Sequence, residues 1–380
     1  MRARDHGIAI GTGTPGRWNA ITDVADVRVG HCTLIEGDGP LRVGHGPVRT
    51  GVTVILPAPD IWEQPLFAGP HRLNGNGELT GLEWVRESGL LTSPVALTNT
   101  HSVGVVRDAL IAHQVSARGA GAGHFWALPV VGETWDGMLN DLNGFHVRPE
   151  HVAEAIAGAG AGPVAEGGVG SGTGMICHGF KGGIGKASRL CDAEAGGFTV
   201  GVLVQANHGR RARLSIDGVA IGRHIGPDQV PLPAAPGDVS QGSGSIIVVV
   251  ATDAPLLPHQ CRRLAQRAGL GIARTGGVGE HTSGDLFLCF AAGNRGLTAG
   301  ELGHADPLTV PLTMLTDAHI TPLFDAVVEA TEEAIVNALF SAETMTGRDG
   351  VTAHALPADL VVPLLRDAGR RHPVRRPQRK

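Results

Sequence analysis

Short apolar, β-branched runs bounded by Gly, Pro or Asp recur along the chain at residues 27–34, 51–56, 198–205, 245–252 and 285–291. Runs of that length and make-up predict strands. Between them lie patterns of helical period at 78–88, 149–159 and 258–268, the last two opening with a proline suited to a first helical turn. The longest covers 322–343, where Leu323, Val327, Ala330, Ala334 and Ala338 step by three or four and predict a helix with one buried face. Strands and helices are thus mixed throughout, with no internal repeat. One segment, 228–244 (DQVPLPAAPGDVSQGSG), reads as an exposed connector.

That connector ends without a polar buffer on the most strand-like run of the chain, QGSGSIIVVV, with Ser245 at the joint. The plain reading is a surface turn leading into a core strand. A second reading follows from the chemistry of the serine. A Ser hydroxyl lies close enough to its own preceding carbonyl to attack it, giving an ester by an N→O shift that water then hydrolyses. Gly244 on the carbonyl side offers no side chain to obstruct the attack and tolerates strained angles. The cut would free an α-amine with a pKa of about 7.7–8, a built-in general base for the adjacent hydroxyl. On that reading the loop is flexible and exposed because it is meant to be severed.

Composition narrows the classes. The 380 residues allow one large domain or two ordinary ones. Against 36 Asp+Glu stand 31 Lys+Arg, a formal charge of −5 that argues against nucleic acid or an anionic membrane as partner. With aromatic content of 4% and no tyrosine, the core must be built of Val, Ile, Leu and Ala. Cys32, Cys177, Cys191, Cys261 and Cys289 form no CxxC pair and are odd in number, which suits a reducing compartment. The start, MRARDHGIAIGTGTPG, lacks an apolar run of signal-peptide length, and no span of about 18 apolar residues occurs. The expectation is a cytoplasmic protein with a disordered basic tail at 370–380.

The blocks SGSIIVVVATDAPLLPHQ and HTSGDLFLCFAAGN closely resemble the self-processing N-terminal serine aminopeptidases, which include the L-aminopeptidase/D-amidase-esterases and the β-peptidyl aminopeptidases. The resemblance continues through ITDVADVRVGHCT, ALTNTHSVGVVRDA, PVVGETWDGMLNDLNGFHV, GSGTGMICHGFKGGIGKASR, VGVLVQANHG and GRDGVTAHALP, in the family's order. It implies a four-layer αββα sandwich, akin to N-terminal-nucleophile hydrolases but differently connected, as one domain over 1–369. It also implies a precursor cut between Gly244 and Ser245 into α and β chains of 244 and 380 − 244 = 136 residues. These would stay associated and oligomerise further.

Site roles follow residue by residue. Ser245 matches the nucleophile and new N-terminus. Ser283 and Asp285 match a hydroxyl and a carboxylate beside it; some members have Glu at the second position. Asn207, at the end of a strand, matches the amide that donates into the oxyanion hole. Glu133 matches the carboxylate that holds the substrate's free amino group, the contact that confines cleavage to a chain terminus. Trp135 stands where some relatives carry a tyrosine near the substrate, and a mechanism needing a phenol cannot apply here. The implied substrate is a small peptide, amide or ester, and no metal or organic cofactor is implied.

Other classes fit less well. The Gly-rich block 167–174 with Lys181 and Lys186 invites a phosphate reading, yet Phe180 and Ala187 break the P-loop pattern, so close backbone packing is expected. No HExxH or HxE…CxxC ligand spacing appears among 18 histidines. Gly242-Ser243-Gly244-Ser245-Ile246 is not the G-x-S-x-G elbow of a Ser-His-Asp hydrolase. An acyltransferase of the ornithine acetyltransferase type uses the same self-cutting logic with threonine. A non-catalytic, unprocessed scaffold of the same fold is the third alternative.

Overall fold

Alternation within one buried strand decides the architecture. In β11 (Ser245–Thr252) every residue is buried, but Ile246, Val248 and Val250 join one apolar cluster while Ile247, Val249 and Ala251 join another. A strand buried on both faces must lie between two layers. The computed structural model describes residues 1–234, 244–298 and 307–371, and shows those layers.

β11 is central in a six-stranded sheet ordered β4 (Leu90–Leu91), β3 (Leu66–Gly75), β12 (Gly284–Ala291), β11, β10 (Thr199–Asn207) and β9 (Gly183–Leu190). β11 and β12 are parallel, joined by the crossover helix α4 (Pro258–Arg274); the other pairs are antiparallel. α4 and α5 (Thr321–Ser341) cover one face, where Cys261, Leu264, Leu323 and Val327 meet Val248 and Phe287. The other face packs on a four-stranded sheet ordered β1 (Arg28–Glu36), β2 (Val48–Leu56), β5 (Val95–Asn99) and β6 (Val130–Thr134). Ile55, Leu97 and Val130 meet Leu203, Ile247 and Leu288 between the sheets. Outside the smaller sheet lie α2 (Val103–Arg118) and α3 (Pro149–Ala157), against Cys32, Val52 and Val54. The result is a four-layer αββα sandwich. Smaller elements are α1 (Leu82–Ser88), the hairpins β7 (Ile176–Cys177)–β8 (Phe180–Lys181) and β13 (Met345–Thr346)–β14 (Thr352–Ala353), and α6 (Ala358–Arg371).

Three elements depart from expectation for physical reasons. The pattern at 78–88 becomes a helix only from Leu82, because Thr80 N–H donates to Val131 O (2.9 Å) and Leu79 bridges Gly132. The pattern at 258–268 continues to Arg274. α5 is buried nearly all round rather than along one face: Thr331, Glu332, Glu333 and Asn337 are enclosed with its apolar residues. The N-terminal segment packs along α5 beside β9, the edge strand of the sheet. Ala3 N–H donates to Asn337 Oδ1 (3.0 Å), Arg4 pairs with Glu333 (2.7 Å), and the N–H groups of Thr12 and Gly13 reach Glu329 (both 2.9 Å). Arg189 on β9, wholly enclosed, donates to Glu329 (2.9 Å) and Glu333 (2.7 Å). Burial alone would raise the Glu333 carboxyl; Arg4 and Arg189 outweigh it and hold it below its ordinary range.

Of the connector at 228–244, residues 235–243 lie outside the described residues, as does the basic tail from 372; α6 runs to Arg371, two residues into the expected tail. No helix among the described residues is long and apolar enough to cross a membrane.

Close approach of helix to sheet depends on particular glycines. A Cβ on Gly185 would sit 1.9 Å from the carbonyl oxygen of Ala334 on α5, whereas one on Gly104, exposed on α2, would meet nothing within 4 Å. Gly185→Ala should therefore cost about 2 kcal/mol or more through overpacking. Gly104→Ala should stabilise by up to about 1 kcal/mol. Thermal midpoints of both variants check this pair, and equal shifts would show that the contact with α5 yields freely.

Candidate active site

Strand register brings the candidate side chains together. Ser245, the first residue of β11, pairs directly with Asn207, the last of β10, so both side chains point to the same face of the sheet. That face is the inter-sheet one, shared with Leu203 and Ile247. Gly284 N–H donates to Ser245 Oγ (3.0 Å), and the neighbouring Ser283 Oγ donates to Asp285 Oδ1 (2.6 Å). All four residues Asn207, Ser245, Ser283 and Asp285 are buried. Burial pushes the Asp285 carboxyl up to about 6; Ser283 and the Ile246 N–H act against that, and Glu280 adds to it.

Ser245 and Gly244 open onto a cavity of about 640 Å³ lined also by Asn76, Glu78, Thr100, Glu133 and Trp135. Glu133 comes from the other sheet, on β6. Its Oε1 accepts from Glu78 N–H (3.0 Å) and its Oε2 from Thr100 Oγ1 (2.5 Å). Burial raises its pKa, while the Thr100 and Glu78 donors oppose the rise. Trp135 is half-exposed at the rim. Of the sequence-derived set, Glu133, Trp135, Gly244 and Ser245 line this cavity, whereas Asn207, Ser283 and Asp285 lie buried beside Ser245 and outside its lining.

Asn207 is held at both ends of its amide. Oδ1 accepts from Ile176 N–H (2.7 Å), and Nδ2 donates to Trp135 O (2.8 Å), so one amide hydrogen has no partner among the described residues. Gly244 runs against Asn207, where a Cβ would lie 1.9 Å from the Asn207 carbonyl oxygen. A side chain at 244 is thus excluded on steric grounds.

Sequence reading missed four residues here. Gln205, two positions before Asn207 and on the same face, sends Nε2 to Thr98 O (3.0 Å) and Thr134 Oγ1 (2.7 Å) on the opposite sheet. Polar residues two apart ending an apolar strand were the available signal. Thr100 lay inside a quoted block without a role. Asp136, fully buried beside Thr50, Asn99 and Asn140, is pushed up to about 7 by burial. Ile176 acts through its backbone, which no sequence pattern announces.

The fold also assembles Cys177, His178 and His208, whose ligand atoms lie within 4.8 Å of one another although their spacing matches no metal motif. Cys177 Sγ is 3.8 Å from His208 Nδ1. Burial pushes the thiol up to about 12 and keeps both imidazoles neutral. The Gly-rich block packs backbone to backbone, as expected: a Cβ on Gly172 would lie 2.4 Å from Ile184 N.

Residues 19–353 match peptidase family S58. The chain belongs to that family. It is 47% identical over 363 residues to the β-peptidyl aminopeptidase BapA of Sphingosinicella microcystinivorans, covering 94% of this chain and 89% of that one. A β-aminopeptidase from Burkholderia sp. superposes with a TM-score of 0.89 at 54% identity, over 97% of this chain and 99% of that one. The L-aminopeptidase D-Ala-esterase/amidase of Ochrobactrum anthropi, described as a prototype of the serine aminopeptidases and a variant of the Ntn-hydrolase fold, does so at 0.86 and 41%, over 97% and 99%. The S58 chain is accordingly a hydrolase, a serine-type N-terminal-nucleophile peptidase with aminopeptidase or amidase activity.

The raised carboxyl of Asp285 gives this S58 member a pH signature. The folded state binds that proton more tightly than the unfolded chain, whose Asp titrates near 3.9. The associated stability is present below about pH 4 and lost as pH rises through about 6. Relative to Asp285→Asn, the wild type should lose about 3 kcal/mol over that window, read as diverging thermal midpoints from pH 4 to 8. Parallel curves would refute the assignment.

Proposed function

We propose that this chain cuts itself between Gly244 and Ser245 and then removes N-terminal residues from small peptides and amides. Its preferred substrates carry an N-terminal β-amino acid. The position of Ser245, at the mouth of a cavity with Glu133 in its wall, is the observation that supports this most directly. The named activities of relatives at 47% and 54% identity support the β-aminoacyl preference over the L-α one.

In the uncut chain, Ser245 Oγ attacks the Gly244 carbonyl. The bare glycine leaves that carbonyl open; as the ester forms, the Gly244 C–N bond breaks and frees the Ser245 α-amine, and water then hydrolyses the ester to the Gly244 carboxylate and the Ser245 hydroxyl. In turnover the same oxygen attacks the substrate carbonyl and the α-amine takes its proton. The free Asn207 amide hydrogen stabilises the oxyanion that develops. Ser283, oriented by Asp285, contacts the nucleophile's amine and relays its proton. Glu133 receives the substrate ammonium and, with Trp135 at the rim, sets its distance from Ser245. The leaving amine departs with a proton, and water releases the acyl group. The protein works in the cytoplasm as an oligomer of αβ units. Its segment 307–316 supports that assembly by presenting Leu308, Val310, Leu312 and Met314 to solvent at alternate positions.

Ser245→Ala should abolish both fragment formation and turnover. N-terminal sequencing of the smaller band should begin at Ser245 in the wild type, and hydrolysis retained in the variant would defeat the assignment. Glu133→Gln should raise KM at least tenfold for substrates with a free amine. An unchanged KM across L-α-, D- and β-aminoacyl p-nitroanilides would remove Glu133 from its role.

A further inference from the structure

Lys181 and the glycines before it have no role in the chemistry above, although Lys181 is among the largest wholly enclosed side chains. Among the described residues no carboxylate pairs with it. Its Nζ donates to three backbone carbonyls instead, those of Gly172 (3.1 Å), Met175 (3.0 Å) and Gly182 (2.8 Å). Burial draws its pKa down to about 7, and Cys177 acts the other way. Three acceptors match the three N–H bonds of an ammonium. A neutral amine would turn its lone pair on one of these oxygens, so the cage holds the cation.

One of the three carbonyls leads to the oxyanion site. The peptide unit Met175–Ile176 carries the oxygen that accepts from Lys181, and the N–H of the same unit donates to Asn207 Oδ1 at 2.7 Å. Gly182 N–H also reaches the Met175 oxygen (2.9 Å), fixing the plane. A cation on the carbonyl end of an amide makes its N–H a stronger donor, and the effect passes along a hydrogen-bonded chain. Asn207 Oδ1, so held, fixes which end of its amide is NH₂, and its polarised NH₂ becomes the better donor.

We propose that Lys181 is a positioning residue for catalysis, fixing and polarising the Asn207 amide through the single peptide unit Met175–Ile176. The proposal rests on the reading of Asn207 as the oxyanion donor.

A double-mutant cycle on the processed enzyme tests it, with kcat and KM for a β-aminoacyl p-nitroanilide measured in wild type, Lys181→Met, Asn207→Ala and the double variant. Each protein is first incubated until its cut is complete. Loss of one oxyanion donor lowers kcat by about 10²–10³, and loss of the charge behind it should lower kcat about tenfold with KM within about twofold. In the Asn207→Ala background, Lys181→Met should cost nothing further. Multiplying losses, or a change confined to KM, would overturn the proposal. Lys181→Gln, which keeps two donors without the charge, is judged by the same criterion where the Met variant does not fold, and failure of both to fold counts against a catalytic role. A normal kcat in Asn207→Ala would instead sink the oxyanion reading itself, independently of Lys181.

Discussion

Two amide side chains on one strand hold the two halves of the site in register. Most of the contact between the sheets is apolar, and apolar contact is non-directional: it sets a spacing but does not fix an alignment. At the end of β10, Gln205 reaches Thr98 and Thr134 across the gap, and Asn207 reaches the Trp135 carbonyl. The carboxylate of Glu133 belongs to one sheet and the hydroxyl of Ser245 to the other. These hydrogen bonds, together with those from Glu78 and Thr80 to β6, fix the separation of the two groups. A buried amide that lost its partners would carry a desolvation penalty of about 1–3 kcal/mol, so the alignment resists slippage.

The interior treats its charges in three different ways, and each leaves a chemical consequence. Around α5, Glu329 and Glu333 are matched by Arg4 and Arg189, so those carboxylates stay ionised in the core. Beside Ser245, Asp285 has donors but no cation among the described residues, and burial raises its carboxyl to about 6. Asp136 goes further, with Oδ2 buried and unpartnered. Lys181 meets no carboxylate among the described residues and donates to three backbone carbonyls. Structural charges are paired, while the Asp285 and Asp136 carboxyls are left where a small change of surroundings alters their proton occupancy.

The strands that carry chemistry were legible because their patterns are extreme. The runs at 198–205, 245–252 and 285–291 are apolar enough to be read as strands, and they emerge as β10, β11 and β12 within two residues of their expected ends. β9 escaped notice because GIGKASRL carries a lysine, an arginine and two glycines, composition that argues against a core strand. Its burial depends on partners far along the chain: Arg189 on Glu329 and Glu333, and Lys186 on Glu166. The same cause misled the reading of α5, since its polar face is covered by an N-terminal segment over 300 residues away. Among site residues, those with distinctive neighbours were recoverable through family resemblance. The backbone donor at Ile176 and the crossing amide of Gln205 were not, because their roles exist only once two sheets face each other.

The N-terminal segment gives this fold an unusual tolerance. Residues 3–13 are stitched to α5, and the central sheet interleaves strands from before and after position 244, with β12 lying between β3 and β11. A nick at 244 would therefore free no separable lobe: the six-stranded sheet and the apolar clusters on both of its faces are built from the two pieces together. Backbone continuity at that point is dispensable for cohesion, so one covalent link can be sacrificed to chemistry while the body remains a single mechanical object.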